Sequence, residues 1–158
     1  MPRYARYQGA IVRDHHILLI KHTNHSNRRS YWLIPGGGIE PGESEEGCVA
    51  REMWEETNLR VRVERLLLDE EAEPGGAYQR RKTYLCSVES GEASPGYEPE
   101  PDAAAAYSIT EVAWFDLRTP EGWPEELLNE QITFPLLQRL RAALGYTAAV
   151  TPAPEVRA

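Results

Sequence analysis

The stretch from Gly36 to Leu59 constrains this chain more than any other part of its sequence. It opens on three consecutive glycines, passes through Pro41-Gly42, and then runs from Ser44 to Thr57 without a proline. A Pro-Gly pair suits the centre of a type II turn, because proline fixes φ and glycine accepts a positive φ. Serine is a favoured N-cap residue. The sequence therefore predicts a glycine-rich loop, a tight turn and one helix that begins after Ser44.

Three glutamates share one edge of this predicted helix. At about 100° per residue, Glu52, Glu55 and Glu56 fall within an arc of roughly 100°. Like charges three and four residues apart repel and weaken a helix, so their crowding needs a physical reason. A hard divalent cation supplies one, because Mg²⁺ prefers carboxylate oxygens together with water and phosphate. The pattern predicts a Mg²⁺ site, with Mn²⁺ as the alternative ion, whereas the simpler interpretation of a Glu-rich helix is a solvated acidic face.

The loop, the turn and the helix together resemble the signature of the Nudix family, Gly-x5-Glu-x7-Arg-Glu-U-x-Glu-Glu-x-Gly-U, in which U is a bulky aliphatic residue. The residues at the matching positions are Gly37, Glu43, Arg51, Glu52, Met53, Glu55, Glu56 and Leu59. One position departs, because Asn58 stands where the family has its last glycine. The residue that follows a helix is often left-handed, and asparagine adopts that conformation more readily than most residues. Asn58 is therefore predicted to be left-handed.

Hydrophobic patterning predicts the elements around this helix. The predicted strands cover residues 7–13, 15–22, 31–35, 60–71, 79–87 and 108–117, a loop covers 89–106, and a helix interrupted at Pro135 covers 125–144. Strands on both sides of one helix, with a second helix after them, indicate an α/β protein. The resemblance implies the same class, an α/β/α sandwich with a mixed sheet flanked by helices. We expect a single Nudix-like hydrolase domain over residues 1–146 and a disordered tail over 147–158.

The resemblance also implies roles for individual residues. The implied metal ligands are the Gly36 backbone carbonyl, Glu52, Glu55 and Glu56, and the implied catalytic residues are Glu43, Arg51, Glu52 and Glu55. Arg51 is expected to pair with Glu43 and to steady the carboxylates. The general base is left open between Glu52 and Glu55, because a metal-bound glutamate is a poor base.

Relatives often carry one more glutamate, at about the position of Ser108. Serine cannot act there as a base or as a strong ligand. The acids that would substitute for it are Glu98, Glu100 or Asp102, and the sequence does not choose among them.

Basic residues are concentrated near the start of the chain. Up to Pro35 there are six basic residues and one acid, a net charge of +5 that leaves −13 for the remainder. Such a basic region beside an acidic metal site suits a polyphosphate ligand. The residues predicted to bind substrate are Trp32, Arg28, Arg29 and Arg81, with Trp32 or Tyr31 as the aromatic that stacks on a base.

The resemblance implies hydrolysis of a pyrophosphate bond in a nucleoside diphosphate linked to another group. ADP-ribose, a nucleotide sugar and a modified nucleoside triphosphate remain open as substrates. The alternative is a nucleotide-sensing or scaffold domain that has lost catalysis. The net charge of −8 argues against binding to a nucleic-acid polymer or a membrane. The two cysteines form no disulfide framework, so the expected compartment is the cytoplasm, and a homodimer is compatible with the sequence.

Overall fold

The computed structural model describes residues 3–97, 99 and 101–147, so all but the first residue of the predicted tail lies outside the described residues. The strands are β1 (Arg3–Arg13), β2 (His16–Asn24), β3 (Ser30–Leu33), β4 (Gly36–Gly37), β5 (Arg60–Glu71), β6 (Tyr78–Ser90) and β7 (Tyr107–Asp116). The helices are α1 (Glu45–Thr57), α2 (Pro101–Ala106), α3 (Glu125–Leu128) and α4 (Thr133–Ala143), with a 3₁₀ turn at Pro120–Gly122. None of the described helices combines the length and the apolar composition needed to cross a membrane.

The sheet is mixed, as predicted. Its main path runs β3-β2-β1-β6-β5, while β4 pairs with β1 and β7 pairs with β2. The β1–β6 pair is parallel and extends from Arg3 opposite Tyr78 to Ile11 opposite Cys86. The other described pairs are antiparallel. Strand β1 is therefore central, and the glycine loop pairs directly with it.

Helices cover two separate apolar clusters. Val49 and Met53 of α1 pack with residues of β1 and β6, such as Ile11 and Tyr84. The second cluster joins α3 and α4 to β2 and β3 and includes Leu137. The predicted α/β/α sandwich is confirmed, and its two cores fix α1 and α4 in place because buried side chains interlock.

The predicted limits of α1 are confirmed. The Gly47 N–H donates to the Ser44 Oγ over 3.0 Å, so Ser44 is the N-cap. Gly42 has a φ of 81°, as the second central residue of a type II turn requires. Asn58 ends the helix in the left-handed region, with φ 62° and ψ 22°.

Two predicted elements need correction. The segment 89–106 was predicted to be only a loop, but it contains the end of β6 and all of α2. The helical stretch after residue 125 is two helices, and Pro135 lies in the first turn of α4, where its missing N–H would have no partner inside the helix.

Candidate active site

Glycines bring α1 close to the central strand. Gly36 and Gly37 pair with Gln8 and Tyr7 of β1. A Cβ on Gly36 would lie 2.5 Å from the Tyr7 carbonyl oxygen, and a Cβ on Gly37 would clash with the Glu52 carboxylate. These two positions therefore exclude a side chain, and the space that remains beside Gly37 is occupied by a charged group of α1.

The two innermost glutamates of α1 face this loop. Glu56 is only 2% exposed, and its Oε1 accepts a hydrogen bond of 2.9 Å from the Gly36 N–H. Glu52 is 7% exposed and lies against Gly37. Burying a carboxylate is costly unless hydrogen bonds or cations compensate for the lost water. The structure therefore concentrates negative charge where the backbone comes closest.

The Arg51 guanidinium offsets the negative charge of Glu52 and of two nearby carboxylates, Glu43 and Glu55. Its Nε and Nη2 donate to the two oxygens of Glu43 over 2.6 and 3.0 Å, which holds the pKa of Glu43 below its usual value. Its Nη1 donates to Glu52 over 3.2 Å and to Glu55 over 3.1 Å. Its Nη2 also donates to the Gly38 carbonyl over 3.1 Å. One guanidinium thus joins three acids to the glycine loop.

The carboxylates of α1 are suitable ligands for a hard cation, but their oxygens do not converge on one point in this structure. Across the part of the chain that the structure describes, no three acidic, histidine or cysteine side chains are arranged to hold a metal ion. The reason is visible in the geometry, because Glu52 and Glu55 turn toward Arg51 while Glu56 accepts from Gly36. Carboxylate oxygens are the ligands that Mg²⁺ prefers. Binding of the ion would require these carboxylates to turn toward one common point.

A cavity of about 200 Å³ opens beside this cluster, and we call it the glycine-loop cavity. Its lining residues are Arg6, Gly36, Gly37, Gly38, Glu40, Arg51, Glu52, Tyr78, Pro99, Asp102, Ala103 and Tyr107. Of the three acids left open by the sequence, Asp102 therefore reaches the same space as Glu52. Glu98 and Glu100 lie outside the described residues, while the Ser108 hydroxyl bonds to the His25 Nε2.

A larger cavity of about 620 Å³ adjoins it, and we call it the arginine cavity. Arg6, Arg29 and Arg81 line it, together with Tyr31 of β3 and Thr133 at the start of α4. Arg81 is paired with Glu73 and with Glu70. The structure thus brings two predicted substrate residues, Arg29 and Arg81, to one space, while Arg28 lines neither of the two cavities.

The prediction that Trp32 stacks on a base needs correction. Trp32 is 3% exposed and packs in the core against Phe115, and its Nε1 donates to Glu126 over 2.9 Å. Tyr31, its neighbour in β3, is 39% exposed and lines the arginine cavity. Successive side chains of a strand point to opposite faces. Tyr31 is therefore the aromatic that has an accessible ring.

Arg6 is one of the six basic residues that precede Pro35, and no sequence pattern assigns it to the site. It lines both cavities, and it donates to the Ile34 carbonyl over 2.8 Å and to the Gln8 Oε1 over 3.1 Å. No described carboxylate forms an ion pair with it. Only the pairing of β1 with β4 and β6 brings it there, and no local motif signals that pairing.

Comparison with known proteins identifies the family of this chain. The NUDIX domain model matches residues 3–136, and the chain belongs to that family. NAD-capped RNA hydrolase NudC of Vibrio parahaemolyticus is 34% identical over 128 residues, which cover 77% of this chain and 44% of that protein. The Photobacterium profundum NudC is 35% identical over 95 residues, covering 60% of this chain and 34% of that protein.

A solved ADP-ribose pyrophosphatase from Streptococcus suis superposes with a TM-score of 0.64 at 19% identity and covers 98% of both chains. At that identity the likeness is one of fold. This chain spans about a third of the length of the Photobacterium NudC and less than half of the length of the Vibrio NudC.

Proposed function

We propose that this chain is a Mg²⁺-dependent hydrolase of a pyrophosphate bond in a nucleoside diphosphate linked to another group. The observation that carries the proposal is the joining of Glu52, Glu55 and Glu43 through Arg51 beside the glycine-loop cavity. Glu52 and Glu55 lie three residues apart on α1, and repulsion between like charges at this spacing weakens a helix. A reaction in which a cation must bind beside a phosphate provides a physical reason for placing these carboxylates close together.

Glu52, Glu56 and the Gly36 carbonyl would hold the ion, with Glu55 as a further ligand. The bound ion supplies neutralisation of the phosphate oxygens and a lower pKa for the attacking water. Gly36 fixes the Glu56 carboxylate through its N–H, and Arg51 orients Glu52 and Glu55 through hydrogen bonds from its Nη1. Hydrolysis breaks one bridging P–O bond and forms a P–O bond to the water oxygen.

Asp102 is our candidate for the group that accepts the proton of that water. It lines the glycine-loop cavity from α2, whereas the three glutamates proposed as ligands all belong to α1. Glu52 and Glu55 both contact the Arg51 guanidinium, and a carboxylate bound to a cation is a weaker base. No described residue forms an ion pair with Asp102. Because Asp102 lies on α2, it can act as the general base while the glutamates of α1 hold the ion.

The arginine cavity would receive the rest of the substrate. Tyr31 and Ile132 give it exposed apolar surface for a base, and Arg6 stands where the two cavities meet, so that it can contact the phosphates. Relatives named for NAD-capped RNA and ADP-ribose suggest substrates in which a pyrophosphate joins adenosine to a second group. We place ADP-ribose and NAD first among candidates, followed by nucleotide sugars and modified nucleoside triphosphates.

A panel of these compounds tests the proposal. Each is incubated with the protein and Mg²⁺, and the products are separated by chromatography, so that the broken bond is identified. We expect at least one diphosphate compound to yield a nucleoside monophosphate, and excess chelator to abolish turnover. Full turnover in chelator would contradict the metal requirement. Tight binding without turnover of any compound would favour a sensing domain.

A further inference from the structure

We infer that Asn58 is a positioning residue, whose side-chain amide fastens a neighbouring segment to α1 and so sets Asp102 at the glycine-loop cavity. This inference rests on the proposed function for the role of Asp102. The segment is residues 93–97, which we call the strap. It leads from the end of β6 toward α2, the helix that carries Asp102.

The Asn58 amide is directed at the strap. Its Nδ2 donates to the Ser94 Oγ over 2.8 Å, and it lies 3.3 Å from the carbonyl oxygens of both Ser94 and Pro95. A glycine at this position would adopt the same left-handed backbone but would supply no donor. The departure from the family signature therefore adds hydrogen bonds that the usual residue cannot make.

Backbone bonds carry the strap onto the glutamate-bearing end of α1. The N–H groups of Ser94, Gly96 and Tyr97 donate to the carbonyls of Thr57, Glu56 and Glu55 over 3.0, 2.9 and 3.0 Å. The last carbonyls of a helix have no partner inside it, so the strap satisfies them. A Cβ on Gly96 would clash with the Glu55 carbonyl, which shows how closely the two backbones approach.

The far end of α2 is held as well. The His25 N–H donates to the Ala106 carbonyl over 2.8 Å, and its Nδ1 bonds to the Ala105 carbonyl over 2.9 Å. Between these attachments, Pro99 and Asp102 both line the glycine-loop cavity. Fixing both ends of a short connection limits how far its middle can move. Asn58 contributes a side chain to this restraint at the α1 end.

A purely structural role for Asn58, as a helix cap, makes a different prediction. Asn58→Gly keeps the left-handed cap and the bond from its N–H to the Trp54 carbonyl while removing the amide. If capping were the whole role, turnover would stay at the wild-type level. If the amide positions Asp102, kcat should fall about tenfold with a change in melting temperature below about 4 °C.

A double-mutant cycle with Asp102→Asn separates the two roles. Turnover is measured for wild type, Asn58→Gly, Asp102→Asn and the double variant, at saturating substrate and Mg²⁺. We expect the double variant to be no slower than Asp102→Asn alone, because the amide acts through Asp102. Fully additive losses, or wild-type kcat in Asn58→Gly, would overturn the inference. Ser94→Ala, which removes only one of the three acceptors, should cause a smaller loss than Asn58→Gly.

Hydrogen exchange at the strap gives a readout that does not depend on turnover. The amides of Ser94, Gly96 and Tyr97 should exchange at least several-fold faster in Asn58→Gly, whereas amides within β1 should be unchanged. Unchanged exchange at the strap would also overturn the inference. If no substrate is turned over but the strap loosens as expected, the proposed function fails while the fastening by Asn58 holds. If Asp102→Asn turns over at the wild-type rate, the role of Asp102 is wrong, and the inferred positioning role fails with it.

Discussion

The glycine-loop cavity and the arginine cavity share Arg6 and differ in almost every other respect. The first is about 200 Å³ and is walled by glycines and charged groups, most of them from one continuous stretch of chain. The second is about 620 Å³ and mixes arginines with Tyr31, Leu33 and Ile132 from separate elements. The small cavity suits charge stabilisation and the large one suits recognition of a bulky group. Variants in the two cavities should therefore change different kinetic constants.

The largest expected effect is that of Glu52→Gln in the glycine-loop cavity. An amide is a weaker partner for Mg²⁺ than a carboxylate, so kcat should fall by about a hundredfold or more if the ion supplies several kcal/mol to the transition state. Steady-state kinetics at saturating substrate measures this loss. Glu46→Gln is the matched control, because Glu46 is exposed in the first turn of the same helix. Equal turnover in the two variants would remove Glu52 from the reaction.

A smaller effect is expected from Gly37→Ala. The new Cβ would clash with the Glu52 carboxylate, which must rotate away, and kcat should fall about tenfold. Gly42→Ala is the control because no atom lies within 4 Å of its added Cβ, although its φ of 81° should cost about 1 kcal/mol in unfolding free energy. Kinetics and thermal melting together separate the two changes. If Gly37→Ala retains wild-type kcat, close approach of the backbone is not required.

In the arginine cavity, Tyr31→Ala should raise KM rather than lower kcat. Stacking of a base on an aromatic ring contributes about 1–3 kcal/mol, so we expect KM to rise between about fivefold and a hundredfold. Tyr4→Ala is the control, since Tyr4 is exposed and lines neither of the two cavities. A fall in kcat with unchanged KM would mean that the two cavities do not divide recognition from chemistry.

The smallest effect concerns His22, whose ring contacts Tyr31 of the arginine cavity and Tyr107 of the glycine-loop cavity. His22 is 3% exposed, neither ring nitrogen has a hydrogen-bond partner among the described residues, and its ring stacks on Tyr107. Burial, together with the charge of the nearby Arg6, lowers its pKa from 6.5 to about 3. The unfolded chain therefore binds a proton at a higher pH than the folded one. Stability that is present above pH 6.5 should be lost progressively as the pH falls toward 3.

His22→Phe tests that assignment. The variant keeps an aromatic ring against Tyr107 and removes two buried polar atoms that lack partners, so unfolding free energy at pH 7 should rise by about 1–2 kcal/mol. Its unfolding free energy should also fall less steeply than that of wild type below pH 6.5. Urea unfolding at several pH values measures both quantities. Identical pH profiles would show that His22 does not titrate in this range.

The contrast between the cavities also explains what sequence could predict. The helix α1, its cap Ser44 and the left-handed Asn58 depend on neighbouring residues, so local rules were sufficient. The predicted strand 60–71 agrees with β5 to the residue. The role of the Asn58 amide was missed, because Ser94 and Pro95 are more than thirty residues away in sequence.

The arginine cavity could not be derived in the same way. Alternation in β3 requires Tyr31 and Trp32 to face opposite sides, but it does not say which side the helices α3 and α4 cover. That depends on the pairing of β3 with β2, which sets His22 opposite Tyr31 and Lys21 opposite Trp32. Arg6 likewise enters the site only through the pairs that β1 makes with β4 and β6.

The central claim is that the glutamate edge of α1 holds the catalytic cation, and Glu56→Gln tests it most directly. Turnover is measured against Mg²⁺ concentration for wild type and variant, and metal-free melting is recorded for both. The Gln oxygen can still accept from the Gly36 N–H, so the fold should persist. We predict a higher Mg²⁺ midpoint, a kcat lower by about a hundredfold, and an unchanged or higher metal-free melting temperature. Wild-type turnover in the variant at low Mg²⁺ would contradict the claim.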